Sequence, residues 1–195
     1  MKHYIILYSL LIVFTSSLAQ KTVSGYYIAK NNDTIKTEIK IRKGVFGQIT
    51  NDFTKSIQVT DGSNKTLEFT PDDIKEYGFT NEGINYLFIS KPTKNGSNKF
   101  LTPVFIGSKS SLYQYGIFTQ GSGGAFSSSQ VFYTFEKADG TFLFLKNMMN
   151  KKLKSELKEF YKDNIEVQQL IDTRFNYWLE LNDDLILTLY TYNKN

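Results

Sequence analysis

The chain has 195 residues, no cysteine and a single histidine, His3, and its formal net charge at pH 7 is +4. This length is enough to bury a substantial hydrophobic core in one domain, and the absence of cysteine excludes a disulfide-stabilised scaffold. Nucleic-acid-binding domains concentrate positive charge on one face, with arginine prominent. Here the basic excess is small and the arginines are Arg42 and Arg174, so no nucleic-acid partner is predicted.

Residues 1–19 have the pattern of a secretory signal peptide. Lys2 gives a positive start, Ile5 to Phe14 is largely apolar, and Ser17-Leu18-Ala19 places small residues at a cleavage site. The apolar run is shorter than the roughly 20 residues that a spanning helix needs. We therefore predict an exported protein, periplasmic or extracellular, without a transmembrane segment in the mature chain. Peripheral association with the outer membrane is an open alternative.

Cleavage of this segment changes the chemistry that the mature chain offers. It removes His3, so residues 20–195 contain neither imidazole nor thiol. Zinc sites built on those ligands are excluded, as are Ser-His-Asp and Cys-His nucleophile systems. We predict no catalytic residue, no metal site and no cofactor, with a carboxylate-dependent glycan-acting enzyme as the alternative, since glycoside hydrolysis needs only carboxylates.

The part of the mature chain up to residue 147 is expected to be a β-rich body of about ten strands. From Thr34 to Arg42, β-branched residues alternate with charged residues, the period of a half-buried strand. Asn31-Asn32-Asp33 joins this strand to Gly25 to Lys30 and favours a hairpin. The further predicted strands are Ser56 to Thr60, Thr66 to Thr70, Asn85 to Ser90, Phe100 to Ile106, Ser110 to Phe118, Gln130 to Glu136 and Thr141 to Lys146.

One short helix is predicted inside this body. The sequence here resembles a capping box, with Thr70 as N-cap, Pro71 at the first helical position and Asp73 at the third. The pattern predicts a helix from Thr70 through Tyr77 and explains the adjacent carboxylates of Asp72 and Asp73 without an acid-base role.

Residues 148–195 are predicted to be a helical tail. Leu153, Leu157, Phe160 and Tyr161 follow the spacing of an amphipathic helix. Asn164 is the predicted N-cap of a second helix, and Asn182-Asp183-Asp184 the start of a third. A final strand is the alternative for residues 182–193, because Leu185, Leu187 and Leu189 also alternate.

These elements together predict an α+β fold. We expect a predominantly antiparallel sheet, or a partly closed barrel or sandwich, with the helical C-terminal segment packed on it. The tail is too short to bury its own apolar face, so residues 20–195 are expected to form a single domain.

Aromatic residues, 15% of the chain, supply the candidate site. Consecutive large side chains from Val131 to Phe135 place rings on both faces of a strand, and exposed aromatic patches commonly mark binding sites. The alternative is that both faces are covered, one of them by the helical tail. We predict a non-enzymatic module that binds a protein or glycan of the cell envelope, and the oligomeric state stays open. The predicted binding residues are Tyr113, Tyr115, Phe118, Phe132, Tyr133 and Phe135.

Several short motifs resemble those of a known group of proteins. These motifs are Gly25-Tyr26-Tyr27-Ile28 with Asn32-Asp33-Thr34-Ile35-Lys36, Thr70-Pro71-Asp72-Asp73-Ile74-Lys75, Ser111-Leu112-Tyr113-Gln114-Tyr115 and Tyr192-Asn193. They are similar to uncharacterised secreted bacterial β-rich proteins with a GYI…GDTIKG hairpin and a TPxDIKGF segment. Asn32, Thr37 and Glu76 stand where that pattern has glycine. The resemblance implies secretion and a β-rich architecture, and no catalytic residue.

Overall fold

The computed structural model describes residues 20–42, 52–63, 65–120, 127–146 and 151–194. In these ranges the protein has ten strands, joined in antiparallel pairs, and three α-helices. The predicted α+β fold class is therefore confirmed. The predicted signal peptide at 1–19 lies outside the described residues. None of the helices in these ranges is long and apolar enough to cross a membrane.

The elements follow the predicted positions closely, with the exception given below. The strands are β1 (Gln20–Ala29), β2 (Thr34–Arg42), β3 (Ile57–Thr60), β4 (Thr66–Phe69), β5 (Ile74–Asn81), β6 (Ile84–Pro92), β7 (Asn98–Phe105), β8 (Ser110–Gln120), β9 (Ser127–Lys137) and β10 (Phe142–Lys146). The helices are α1 (Lys151–Phe160), α2 (Ile165–Thr173) and α3 (Leu181–Lys194), with a short 3₁₀ helix at Trp178–Glu180.

The chain forms two compact units. The N-terminal unit contains the described residues up to Lys91 together with Asn98–Phe100, and the C-terminal unit contains Pro92–Ser97 and the residues from Leu101 onward. The strand order is β6-β5-β1-β2-β3-β4 in the first and β7-β8-β9-β10 in the second. Both orders are linear, so the strands form open sheets. That residues 20–195 form a single domain stays a prediction.

The N-terminal unit buries one face of its sheet. The predicted β1–β2 hairpin is confirmed, and Asn32 takes the left-handed φ of 73° that its turn requires. Ile39 and Ile41 are fully buried while Lys36 and Glu38 are exposed, as the alternation predicts. The core of this unit is Val23, Ile39, Ile41, Phe53, Ile57, Val59, Ile74, Tyr77, Phe79 and Phe100.

The predicted short helix from Thr70 through Tyr77 is wrong. The capping contact itself is present, because the Asp73 carboxylate accepts hydrogen bonds from the backbone N–H of Thr70 at 2.8 Å and from its hydroxyl at 2.6 Å. The turn opens into β5, which pairs with β1 on one side and β6 on the other. Burial of Ile74 and Tyr77 in the core outweighs the local helix signal.

The C-terminal unit buries the other main core between its sheet and the three helices. The predicted packing of the tail on the sheet is confirmed, since Phe135 and Leu145 share a cluster with residues of every helix. Asn164 caps α2 by accepting the Val167 N–H at 3.1 Å. Residues 182–193 lie in α3, so the predicted third helix is confirmed and the alternative of a final strand is wrong. The first turn of α3 begins at Leu181, so Asn182 is not the N-cap. The Asn182 side chain instead accepts a hydrogen bond from the Tyr133 hydroxyl at 2.6 Å.

Candidate functional site

Strand β9 divides its side chains between two very different environments. Tyr133 and Phe135 lie in the core beneath the helices, where they are 3% and 0% exposed. Side chains alternate between the faces of a strand, so Phe132 and Thr134 lie on the opposite face, away from the described helices. We call this second surface of β8, β9 and β10 the helix-free face.

Cross-strand pairing brings further aromatic rings onto the helix-free face. Tyr115 stands opposite Phe132, and their rings stack with centroids 5.1 Å apart. Phe144 stands opposite Thr134, and Phe142 lies two residues along the same strand with its ring 6.0 Å from that of Phe144. All four rings are half-buried, so each keeps part of its surface in contact with solvent.

Part of this face closes into a cleft of about 240 Å³. This volume is below the range of roughly 300–1,000 Å³ typical of sites for drug-sized ligands, so the cleft fits one ring-sized group. We call it the aromatic cleft. It is lined by Lys94, Asn95, Tyr115, Phe132, Tyr133, Thr134, Phe144, Leu145 and Lys146.

Two lysines give the aromatic cleft its charge. Lys94 comes from the turn between β6 and β7, and Lys146 stands opposite Phe132 at the end of β10. Within the described parts of the chain neither ammonium group pairs with a carboxylate, and the lining contains no Asp or Glu. Burial raises the pKa of the Tyr115 phenol, so this ring stays neutral. The cleft therefore favours a negatively charged group near an apolar ring.

A buried hydroxyl lies among the lining residues. Thr134 is 1% exposed, and its Oγ1 has no hydrogen-bond partner in the described part of the protein. A buried polar atom without a partner costs about 1–3 kcal/mol, and most such atoms in folded proteins are satisfied. This unsatisfied oxygen lies on the same side of β9 as the Phe132 ring.

The six predicted binding residues separate into three groups. Tyr115 and Phe132 line the aromatic cleft. Tyr133 and Phe135 have their side chains in the core under the helices, although Tyr133 also lines the cleft. Tyr113 stands opposite Thr134 on the helix-free face and is 4% exposed. These three rings therefore offer little contact area to a ligand. Phe118 belongs to β8, and its side chain is outside what the structure describes.

Sequence reasoning missed Phe144, Lys94 and Lys146. Phe142 and Phe144 alternate with Leu143 and Leu145, which is a detectable pattern, but both sets are apolar and the pattern does not say which one faces the helices. Lys94 could not be found in the same way, because it reaches the cleft from a turn far away in the sequence.

The described residues offer little metal chemistry. Among them no group of three or more His, Cys, Asp or Glu side chains is placed to hold a metal ion.

Comparison of the chain with protein families, curated proteins and solved structures found no match. The function must therefore be argued from the geometry of the site.

Proposed function

We propose that this protein is an exported, non-enzymatic binding protein of the cell envelope, and that the aromatic cleft is its binding site. The observation that carries the proposal is the combination of Tyr115, Phe132 and Phe144 with two lysines that no carboxylate of the described residues neutralises. Aromatic rings supply large contact areas at low cost in conformational entropy. The ligand is a ring-bearing group with a negative charge, carried by an envelope protein or glycan.

Binding is a better account of this cleft than glycan hydrolysis. A carboxylate-dependent glycosidase places two carboxyl groups about 5–10 Å apart across the scissile bond. The lining of the aromatic cleft holds cations, rings, an amide and a hydroxyl. These groups can hold a ligand in place, and they include no carboxyl group for the paired-carboxylate mechanism.

The test is co-sedimentation of the mature protein with a cell-envelope fraction, measured at low and moderate salt. We expect Phe132→Ala to lose most of the bound fraction. We expect Lys146→Gln to remove most of the salt dependence, because added salt screens exposed charge pairs over about 8–10 Å. Exposed Tyr177 and exposed Lys152 of the same unit give matched controls, Tyr177→Ala and Lys152→Gln, which should bind like the wild type. Equal binding by all four variants would contradict the proposal.

A small probe tests the site directly. Phenylacetate carries one ring and one negative charge, and phenylethanol is its neutral counterpart. We expect phenylacetate to shift the NMR signals of residues around the aromatic cleft, with weaker shifts from phenylethanol. Shifts confined to other parts of the protein would place the binding site elsewhere.

A further inference from the structure

The N-terminal unit carries a larger cleft on the face of its sheet opposite its core. Its volume is about 590 Å³, within the range of roughly 300–1,000 Å³ typical of ligand sites. It involves no residue of the aromatic cleft. We call it the Tyr26 groove, and it is lined by Ser24, Gly25, Tyr26, Thr34, Lys36, Gly78, Phe79, Thr80, Asn85, Tyr86 and Leu87.

The Tyr26 ring forms a fixed platform in this groove. Tyr26 stands opposite Gly78 in the β1–β5 pair, and a Cβ atom added to Gly78 would lie only 2.8 Å from Tyr26 Cε1. The ring therefore lies closely over the glycine, which leaves room for it. The Tyr26 hydroxyl donates to Glu76 at 2.8 Å. This anchors the far edge of the ring, and its open face is left to pack against a ligand.

Hydrogen-bonding groups surround this platform. Thr80 donates a hydrogen bond from its hydroxyl to Asn85 Oδ1 at 2.7 Å. The side-chain NH2 of Asn85, a lining residue, then has no partner among the described residues. Ser24, on the same strand as Tyr26, and Thr34, on β2, add hydroxyls to the lining. Amide and hydroxyl groups arranged around an aromatic ring match a ligand that has hydroxyls at its rim and an apolar ring face.

The charge of the groove comes from one residue. Lys36 stands directly opposite Tyr26 in β2, and it is the only charged residue of the lining. Within the part of the chain that the structure describes, its ammonium group pairs with no carboxylate. Two carboxylates lie nearby on the same face. Glu76 is held at the Tyr26 hydroxyl, and Glu38 stands opposite Ser24. A bound anion would therefore lie at the Lys36 end.

We propose that the Tyr26 groove binds an acidic saccharide, with a sugar ring packed on Tyr26 and its carboxylate paired with Lys36. The groove lies over Gly25 and Gly78 in the middle of paired strands, so a peptide could not bind there by adding a strand at a sheet edge. A pyranose ring instead uses the flat aromatic face and the surrounding amide and hydroxyls.

The test is calorimetric titration of the mature protein with trigalacturonate, neutral galactotriose and triglutamate. We expect the acidic saccharide to bind about tenfold more tightly than the neutral one, the difference typical of one charge-assisted hydrogen bond. Equal binding of the neutral saccharide, binding of triglutamate as tight as that of trigalacturonate, or no binding of trigalacturonate would each overturn the proposal.

Variants locate the interaction. Lys36→Gln should lower the affinity for trigalacturonate about tenfold, and this variant should bind the acidic and neutral saccharides equally. Lys65 is an exposed lysine outside the groove, so Lys65→Gln should bind like the wild type. Tyr26→Phe keeps the ring and should lower the affinity for trigalacturonate by less than about threefold. Gly78→Ala displaces the ring and should bind trigalacturonate poorly. Unchanged binding by Lys36→Gln would refute the assignment even if Gly78→Ala did not fold. Phe132→Ala should not affect this titration.

Discussion

The two faces of β8, β9 and β10 differ sharply although they carry similar residues. Under the helices, Tyr133 and Phe135 are almost completely buried. Lys137 lies on the same side of β9, where its ammonium group contacts the Phe160 ring. On the helix-free face, Phe132 and Phe144 stay half-buried beside two lysines of the cleft lining. Aromatic content alone therefore does not identify a binding surface. What distinguishes Phe132 and Phe144 is that part of each ring stays in contact with solvent.

The largest effect should come from the helix-covered face. Phe135 is fully buried and makes edge contacts with Phe160 and Tyr161 at 6.2 and 6.3 Å between ring centroids. We expect Phe135→Ala to lower the free energy of unfolding by about 3–5 kcal/mol, measured by urea denaturation. Phe142→Ala, on the half-buried helix-free face, is the matched comparison and should cost at most about half as much. Equal losses would remove the distinction between the faces.

A smaller loss should follow when Lys137 is truncated. Its ammonium group lies 5.1 Å from the ring centroids of Phe160 and Tyr192 and pairs with Asp163 at 2.8 Å. This arrangement joins β9 to the helices. We expect Lys137→Ala to destabilise the protein by about 2 kcal/mol, as partly desolvated cation–π contacts do. Lys137→Met keeps the apolar stem and should recover part of the loss. No change in the denaturation midpoint for Lys137→Ala would contradict this role.

The smallest stability effect should be a pH dependence at Asp163. Partial burial raises the pKa of this carboxyl, but hydrogen bonds from Lys137 and Tyr192 outweigh it and lower the pKa below the usual value. The stabilisation is therefore present above the unfolded pKa of about 4 and is lost as the pH falls through the lower folded value. Because the Asp163 side chain is 54% exposed, we expect about 1 kcal/mol or less.

Acid unfolding curves check this expectation. The free energies of unfolding of the wild type and of Asp163→Asn should differ at pH 7 and converge well below pH 4. The exposed and ion-paired Asp172 gives a control variant, Asp172→Asn, which should show a weaker dependence. A constant difference between wild type and Asp163→Asn across the acid range would show that the carboxylate charge contributes nothing.

Much of the fold could be predicted because its signals are local. The alternation from Thr34 to Arg42 and the turn at Asn32 are sufficient for the first hairpin, and the Asn164 cap is sufficient for the start of α2. The failure at Thr70 has a physical cause. The capping contact at Asp73 forms as predicted, but only pairing with β1 and β6 decides that the next residues form a strand.

The candidate site could be predicted only in part. Period-two alternation shows that Phe132 and Tyr133 lie on opposite faces, but it does not say which face the helices cover. Nor does it show that Lys94 lines the same cleft as Phe132 and Phe144, because that depends on tertiary structure. Tyr115 and Phe132 were therefore predicted together with Tyr133 and Phe135, whose rings stabilise the core.

The central claim is that the half-buried rings of the helix-free face bind a ligand while rings under the helices hold the fold. The most direct measurement compares envelope binding and the free energy of unfolding for one variant, Phe132→Ala. We predict that binding falls by about tenfold, with a stability loss of no more than about 1–2 kcal/mol for this half-buried ring. Unchanged binding, or a stability loss as large as that of Phe135→Ala, would contradict the claim.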